Sequence, residues 1–274
     1  MKPLKASGFA WSANNNLKPA DLKLCGFFRM EEYFMDERTL RARMLLGDQA
    51  MEKLWNSHVA VFGLGGVGSW CAEALARSGV GRLTLVDSDE VGESNINRQI
   101  IALSSTLGRP KAEVLAERIK DINPKIQVNP IVGLYEAKRR EEFFSDYDYL
   151  VDAIDLVSCK IDLIMSCRER KIPVISALGT GNKKDASLLQ ISDISKTTGC
   201  ALARVVRKEL RNLGVTHHPV VFSAEEPMHP AQYEAPPPGR RSIPGSLCWV
   251  PATAGLLLCQ HVVSELAGKL SSEI

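Results

Sequence analysis

The sequence predicts an α/β protein built on a doubly wound, mainly parallel sheet, with an added strand and helix section toward its C-terminal end. Three observations carry this. The apolar run Val59-Ala60-Val61-Phe62 leads directly into the glycine-rich stretch "GLGGVG" (63–68) and then into a helical pattern. Further apolar runs alternate with amphipathic stretches, and parallel strands joined by right-handed helical crossovers place helices on both faces of one sheet. Finally, 274 residues, 45% hydrophobic and 24% charged, can enclose a sizeable core.

Taken in order, a helix is expected over 37–55, a strand at 59–62, a helix at 66–78 and a strand at "RLTLVD" (82–87). "PKAEVLAERIKDI" (110–122) reads as an amphipathic helix with Pro110 at its first position, where a missing N–H costs nothing. "IQVNPIVG" (126–133) is a third strand, weakened by Pro130, and "YLVDAI" (149–154) a fourth. A helix at 158–170 and the strand "PVISAL" (173–178) continue the alternation. Next come the strand "SLLQISDI" (187–194), a helix over 200–212 and the strand "HPVVFS" (218–223). A polar, proline-rich loop near 224–246 follows, and a helix over 252–268 closes the chain. Loops of that length tend to be functional or mobile. A single domain over 30–274 with a mobile late loop is therefore expected. Residues 1–29, with the polar and turn-rich "SANNNLKPAD", read as a disordered or untranslated extension.

Composition narrows the setting. No apolar run is expected to reach the roughly 20 residues of a membrane span, and residues 1–30 lack the apolar segment of a secretory signal. Seven scattered cysteines without any C-x-x-C spacing point to a reducing, cytoplasmic compartment and away from a cysteine-based zinc site. Cys248 and the other thiols read as packing residues, and His217-His218 as turn or surface residues. A net charge of +2 neither requires nor excludes a nucleic-acid partner.

The chemistry concentrates after the first strand. Gly63, Gly65 and Gly68 fit G-x-G-x-x-G between strand and helix, with Gly66 in the same turn. Glycines there permit a tight turn, close approach of backbone to phosphate and close helix packing, while the helix start offers free N–H groups to an anion. Asp87 ends the second strand, where a carboxylate can bond a ribose hydroxyl. This much also fits an NAD-dependent dehydrogenase. The stretches "VDSDEVGESNINRQ" (86–99) and "GRPK" (108–111) add Asp89, Asn95, Asn97, Arg98, Gln99 and Lys111. A triphosphate carries more charge than a dinucleotide pyrophosphate and calls for such added cations. Lys111 opens its helix, where a cation opposes the helix dipole by roughly 0.3–1 kcal/mol, so another demand such as a phosphate is expected. In "VDAIDLV" (151–157), Asp155 at the strand end suits Mg2+, which takes one or two carboxylates plus phosphate oxygens; Asp152, inside the strand, reads as structural.

Together "GLGGVGSW", "VDSDEVGESNINRQ", "GRPK" and "DAID" resemble the ATP-dependent activating enzymes of ubiquitin-like and sulfur-carrier proteins. The resemblance implies a Rossmann-like fold in which Asp87 holds the ribose. It also implies that Arg98 and Lys111 contact phosphates with Asn95 in support, and that Asp155 holds Mg2+. It further implies a homodimer in which Arg41, from "RTLR" (38–41), reaches the ATP of the partner subunit. In such enzymes a carboxylate attacks the α-phosphate, giving an acyl adenylate and pyrophosphate. Within this group, the missing C-x-x-C pairs together with "HPVVFSAEEP" (218–227) and "GSLCWVPATAGLLL" (245–258) are most similar to the tRNA threonylcarbamoyladenosine dehydratases. That implies tRNA carrying threonylcarbamoyladenosine as substrate, with sulfur-relay helper proteins as further partners. The alternative is adenylation of the C-terminus of a ubiquitin-like or sulfur-carrier protein. Arg204, Arg207, Lys208 and Arg211, with Arg240-Arg241 in the late loop, are candidate RNA contacts or simply a solvated face.

Overall fold

A computed structural model describes residues 36–233 and 243–268. Helices α1 (Leu40–Leu46) and α2 (Asp48–Asn56) lead into strand β1 (His58–Phe62), helix α3 (Gly68–Arg77) and strand β2 (Arg82–Asp87). Helix α4 (Lys111–Ile122), strands β3 (Gln127–Val132) and β4 (Tyr149–Asp152), helix α5 (Val157–Arg170) and strand β5 (Val174–Ala177) follow. Strand β6 (Leu189–Asp193), helix α6 (Ala201–Asn212), strand β7 (Pro219–Ser223) and helix α7 (Trp249–Ala267) complete the described elements. The seven strands form one sheet in the order β3-β2-β1-β4-β5-β7-β6. All neighbours are parallel except β6, which runs antiparallel to β7. The strand order reverses between β1 and β4, and in such sheets the crevice outside the carboxyl ends at that reversal is where ligands bind.

Alternation along β1 divides the core. Val59 and Val61 join Leu75, Leu115, Ala254 and Leu258 on one face, while Ala60 and Phe62 join Tyr135, Phe143 and Leu163 on the other. Central strands β1, β4 and β5 are buried along their whole length, as expected where helices cover both faces. Pro130 sits on β3, the edge strand, opposite Leu85, where a missing donor is tolerated. Helix α7 buries Val250, Ala254, Leu258 and Val262 at four-residue spacing. Each large side chain so buried stabilises the fold by about 1.5–3 kcal/mol. A methyl group at Gly255 of α7 would lie 2.9 Å from Trp70 Cβ of α3, so the C-terminal helix seats directly on the helix that follows the glycine loop.

Several expected boundaries move, each for a local reason. The helix expected over 37–55 breaks at Gly47, whose φ of +80° is outside the range of helix, and an Arg43–Asp48 ion pair bridges the break. Pro110 is the residue before α4 and not its first turn. Helix α7 starts at Trp249 and admits Pro251 in its first turn, where no N–H is needed. At 19 residues and mean hydropathy 1.2, α7 is long and apolar enough to cross a membrane by length and composition, but half of it is buried against the sheet and helices of this fold. The flanks of the late loop are also not loose. Met228 N donates to Asn182 O at 2.8 Å, Gly245 N donates to Asn182 Oδ1 at 2.7 Å, and Glu225 accepts from the N–H groups of Lys184 and Asp185. The extension over 1–29, and Arg240-Arg241 with the rest of 234–242, lie outside the described residues.

Candidate active site

A cavity of about 1000 Å³ opens at the carboxyl ends of β1, β2, β4 and β5. The glycine turn forms its base. Gly63 has φ +86°, and a Cβ there would lie 2.7 Å from Ala153 O; a Cβ at Gly68 would overlap the carbonyl oxygen of Gly63. Those two glycines are required by the chain itself. At Gly65 a Cβ would meet nothing closer than Gln99 Nε2 at 3.9 Å, so glycine there is not demanded by packing and instead leaves cavity space for a ligand. No side chain caps the start of α3, which leaves its N-terminal end available to an anion.

One wall is charged. Asp87 accepts from Leu64 N at 2.6 Å through one oxygen and from Asp89 N at 2.8 Å through the other. Burial pushes its carboxyl above the usual range, and these two N–H bonds oppose that shift. Asn95 Oδ1 accepts from Gly92 N at 3.1 Å and so holds the turn that presents Arg98. The half-buried Arg98 guanidinium donates to Ser94 O at 2.8 Å and to Asn97 Oδ1 at 3.0 Å, and has no carboxylate partner among the described residues. Burial lowers its pKa, a sign that the site carries desolvated positive charge. Gln99 is buried and its Oε1 has no partner. Lys111 is 5% exposed and pairs with Asp89 Oδ2 at 2.8 Å. Asp89 thus offsets the awkward position of this cation at the helix start.

Asp152 and Asp155 separate sharply. Asp152 is fully buried, bonds Lys160 Nζ at 2.6 Å and accepts from Ile154 N at 3.1 Å, which fixes the turn after β4. Asp155 follows on that turn, exposed and lining the cavity. The opposite wall is uncharged: Ala177, Leu178, Gly179 and Thr180 after β5, Leu202 of α6, and Pro244-Gly245 before α7.

The structure thus gathers Gly63, Gly65, Gly66, Asp87, Asp89, Asn95, Arg98, Gln99, Lys111 and Asp155 around one cavity, with Gly68 buried just behind the turn. Arg41 stands apart: it is exposed on α1 and does not line its own chain's cavity. Three expectations need correction. His218 is buried and bonds Ser176 Oγ at 2.8 Å, because the strand start it occupies lies under α5 and not at the surface. Cys248 is exposed, since it precedes α7 and is not packed within it. Arg207 turns inward to Thr197 O at 2.8 Å and leaves the exposed basic set. Sequence reasoning missed Lys160, whose only signal is a spacing of eight from Asp152. It also missed Cys159, the described thiol that lines the cavity; it contacts Tyr135 O at 3.2 Å, and burial holds its pKa up.

Among the described residues no group of three or more His, Cys, Asp or Glu could hold a metal by itself.

Comparison with known proteins agrees with this geometry. The tRNA threonylcarbamoyladenosine dehydratase of Bacillus subtilis is 44% identical over 237 residues, covering 82% of this chain and 93% of the relative. The crystal structure of the Escherichia coli tRNA N6-threonylcarbamoyladenosine dehydratase, TcdA, in complex with ATP is 35% identical with a TM-score of 0.77, over 87% of this chain and 97% of that one. The same enzyme in complex with AMP gives a TM-score of 0.76 at 36% identity, over 84% and 94% of the two chains. The ThiF family profile matches residues 37–272, and with a match of that extent the chain belongs to the ThiF family.

Proposed function

We propose that this chain is an ATP-dependent tRNA threonylcarbamoyladenosine dehydratase, which activates the threonyl carboxylate of the modified nucleoside as an adenylate and closes it to the cyclic form. The observation that carries the reading is one cavity with two unlike walls. The charged wall suits a triphosphate: Gly65 leaves open space beside it, and the Arg98 guanidinium, held only by Ser94 O and Asn97 Oδ1, has no carboxylate to compensate it among the described residues. The uncharged wall suits a substrate that brings its own reacting groups.

In this reading Asp87 orients the ribose, the start of α3 and Gly65 approach the phosphates, and Asn95 keeps Arg98 aimed at them. Lys111 exchanges Asp89 for a phosphate oxygen. Asp155 holds Mg2+, which when bound neutralises phosphate charge. The substrate carboxylate oxygen attacks the α-phosphorus and pyrophosphate leaves, giving an acyl adenylate. An atom already tethered to the threonyl group then attacks the activated carbonyl, loses its proton and expels AMP with the former carboxylate oxygen. The ring has lost one water overall, and ATP has become AMP and pyrophosphate. The chain's contribution is orientation and charge neutralisation, and the intramolecular attack needs no enzyme nucleophile.

A homodimer belongs to this reading, in which Arg41 reaches the cavity of a second copy; so do accompanying sulfur-relay helper proteins, both on the strength of the family resemblance. The setting is the cytoplasm, in keeping with free thiols at the six cysteines among the described residues. The test is incubation of purified protein with ATP, Mg2+ and tRNA bearing threonylcarbamoyladenosine, followed by nucleoside mass spectrometry. Loss of one water from the nucleoside, matched by AMP and pyrophosphate, is expected. Adenylation of a small carrier protein's C-terminus without ring closure would replace this reading with the alternative.

A further inference from the structure

The cations of this chain divide near Arg170. Among the described residues before that point most lysines and arginines hold a carboxylate, as in Arg77–Glu73, Arg109–Glu117, Lys111–Asp89, Arg139–Glu142, Arg140–Asp162 and Lys160–Asp152. From Lys171 onward, no lysine or arginine among the described residues does. The unpaired cations include an ordered row on α6. Arg204, Lys208 and Arg211 are spaced i, i+4, i+7, which places them along one side of a helix, and all three are exposed. The opposite side is fixed: Ala203, Val206 and Leu210 are buried with Ile164, Val220 and Phe222. Arg207, between the two sides, clamps the turn at 194–197 by donating to Thr197 O at 2.8 Å, and that turn carries the exposed Lys196.

Helix α6, whose far side carries this row, begins at the active-site cavity. Leu202, in the first turn of α6, lines the uncharged wall, and a Cβ at Gly179 of that wall would lie 3.4 Å from Cys200 Sγ at the helix start. At 1.5 Å per residue, Arg204 to Arg211 spans about 10 Å leading away from the cavity mouth. A solvated basic face ordinarily acquires carboxylates three or four residues away, as α3 does through the Glu73–Arg77 pair. This row has none at those spacings, so its charge is uncompensated on a rigid helix whose first turn lines the cavity.

We propose that the exposed side of α6 is the docking surface for the RNA that carries the substrate nucleoside, with Arg204, Lys208 and Arg211 each neutralising a phosphate; this rests on the function proposed above. A cavity of about 1000 Å³ holds a nucleotide and a single modified nucleoside, so the rest of the RNA lies outside and its phosphates meet whatever surface adjoins the uncharged wall. Backbone contacts of this kind position the RNA without reading its sequence.

The proposal is tested by binding of the full-length protein to modified tRNA and to an unmodified transcript across about 50–200 mM salt, beside ring-closure kinetics. The triple variant Arg204→Ala/Lys208→Ala/Arg211→Ala should lower the slope of log K against log salt by about 2–3, since each phosphate contact contributes roughly 0.7–0.9. Its affinity for tRNA should fall at least tenfold at low salt and its KM for tRNA should rise, while kcat and the Kd for ATP stay within about twofold. Arg204→Lys/Arg211→Lys, which keeps the charge, should keep the slope. A triple variant that binds ATP and tRNA as the wild type does, with the same slope, overturns the docking surface. So does a wild-type protein that binds neither RNA. Ring closure reads the function separately: a wild type that binds tRNA with the stated slopes but closes no ring keeps the surface and overturns the reaction.

Discussion

The two walls of the cavity differ in chemistry and in how the chain builds them. The β1–β2 side places Asp87, Asp89, Arg98 and Lys111 within one short stretch, whereas the β5–α6 side offers Ala177, Leu178, Gly179, Thr180 and Leu202 without a charge. Deeper than both walls lie two buried polar pairs, Asp152–Lys160 under the turn after β4 and Ser176–His218 under the end of β5. These pairs are neighbours, since Asp152 and Ser176 are register partners. The difference teaches a division of labour: charge in the cavity handles a nucleotide, charge under the floor holds the wall in place, and the uncharged wall leaves the second reaction to the substrate.

Two lysines bring that division to a test. Lys160 and Lys111 each hold an aspartate, at 2.6 Å and 2.8 Å, but Lys160 and its partner are fully buried while Asp89 is largely exposed. Lys160→Met leaves the Asp152 charge uncompensated and should cost about 3–5 kcal/mol of stability, measured by urea unfolding. Asp152→Asn/Lys160→Met should recover much of it. A single variant as stable as the wild type would break the distinction between floor and wall. Lys111→Ala should barely shift the urea midpoint, because a solvated Asp89 needs no partner. It should instead lower turnover at subsaturating ATP by about 10²–10³, as removal of a preorganised charge-stabilising group does, and Arg98→Ala should do the same. Near-wild-type turnover in either would remove that residue from the nucleotide site.

The floor under the uncharged wall predicts a pH effect. Burial, reinforced by the charges of Lys160 and Arg168, pushes the His218 imidazole down to about 3 from its ordinary 6.5. The unfolded chain therefore takes up a proton below pH 6.5 that the native state refuses, so stability falls as pH drops through that window. For one such group the loss from pH 7 to pH 5 is about 2 kcal/mol. His218→Gln should flatten the pH dependence of the urea midpoint by that amount; an unchanged slope would show that His218 is not the group responsible. The smallest expected effect is at the cysteines. Cys248 lies outside the cavity lining, and Cys159 lines it as a thiol whose pKa is raised by burial. Cys248→Ser and Cys159→Ser should each close the ring within about twofold of the wild-type rate. Loss of closure in either folded, ATP-binding variant would bring an enzyme thiol into the reaction.

The charged wall was legible in the sequence because its residues are tied to one short segment by local geometry. A G-x-G-x-x-G turn has to follow a strand and precede a helix, and Asp87 has to end the next strand. The uncharged wall was not legible, since Gly179, Thr180, Leu202 and Pro244 come from three separate segments and share no chemistry beyond small or apolar side chains. Lys160 was hidden for a different reason: a lysine in an amphipathic stretch reads as a surface residue until the sheet is assembled above it. His218 failed likewise, because "HHP" resembles a turn and burial at the start of β7 is set by α5 and β6, distant in sequence. The break at Gly47 was within reach, as a glycine between two helical patterns, but the continuous periodicity on either side hid it.

The central claim is that the threonyl carboxylate becomes an adenylate before the ring closes. Substrate tRNA whose threonyl carboxylate carries oxygen-18 tests this directly, with the AMP, pyrophosphate and cyclic nucleoside recovered after turnover in ordinary water. Attack of that carboxylate on the α-phosphorus predicts one labelled oxygen in AMP and none in pyrophosphate, with the other kept in the ring carbonyl. Label in pyrophosphate, or in released water or free phosphate with none in AMP, would contradict the account.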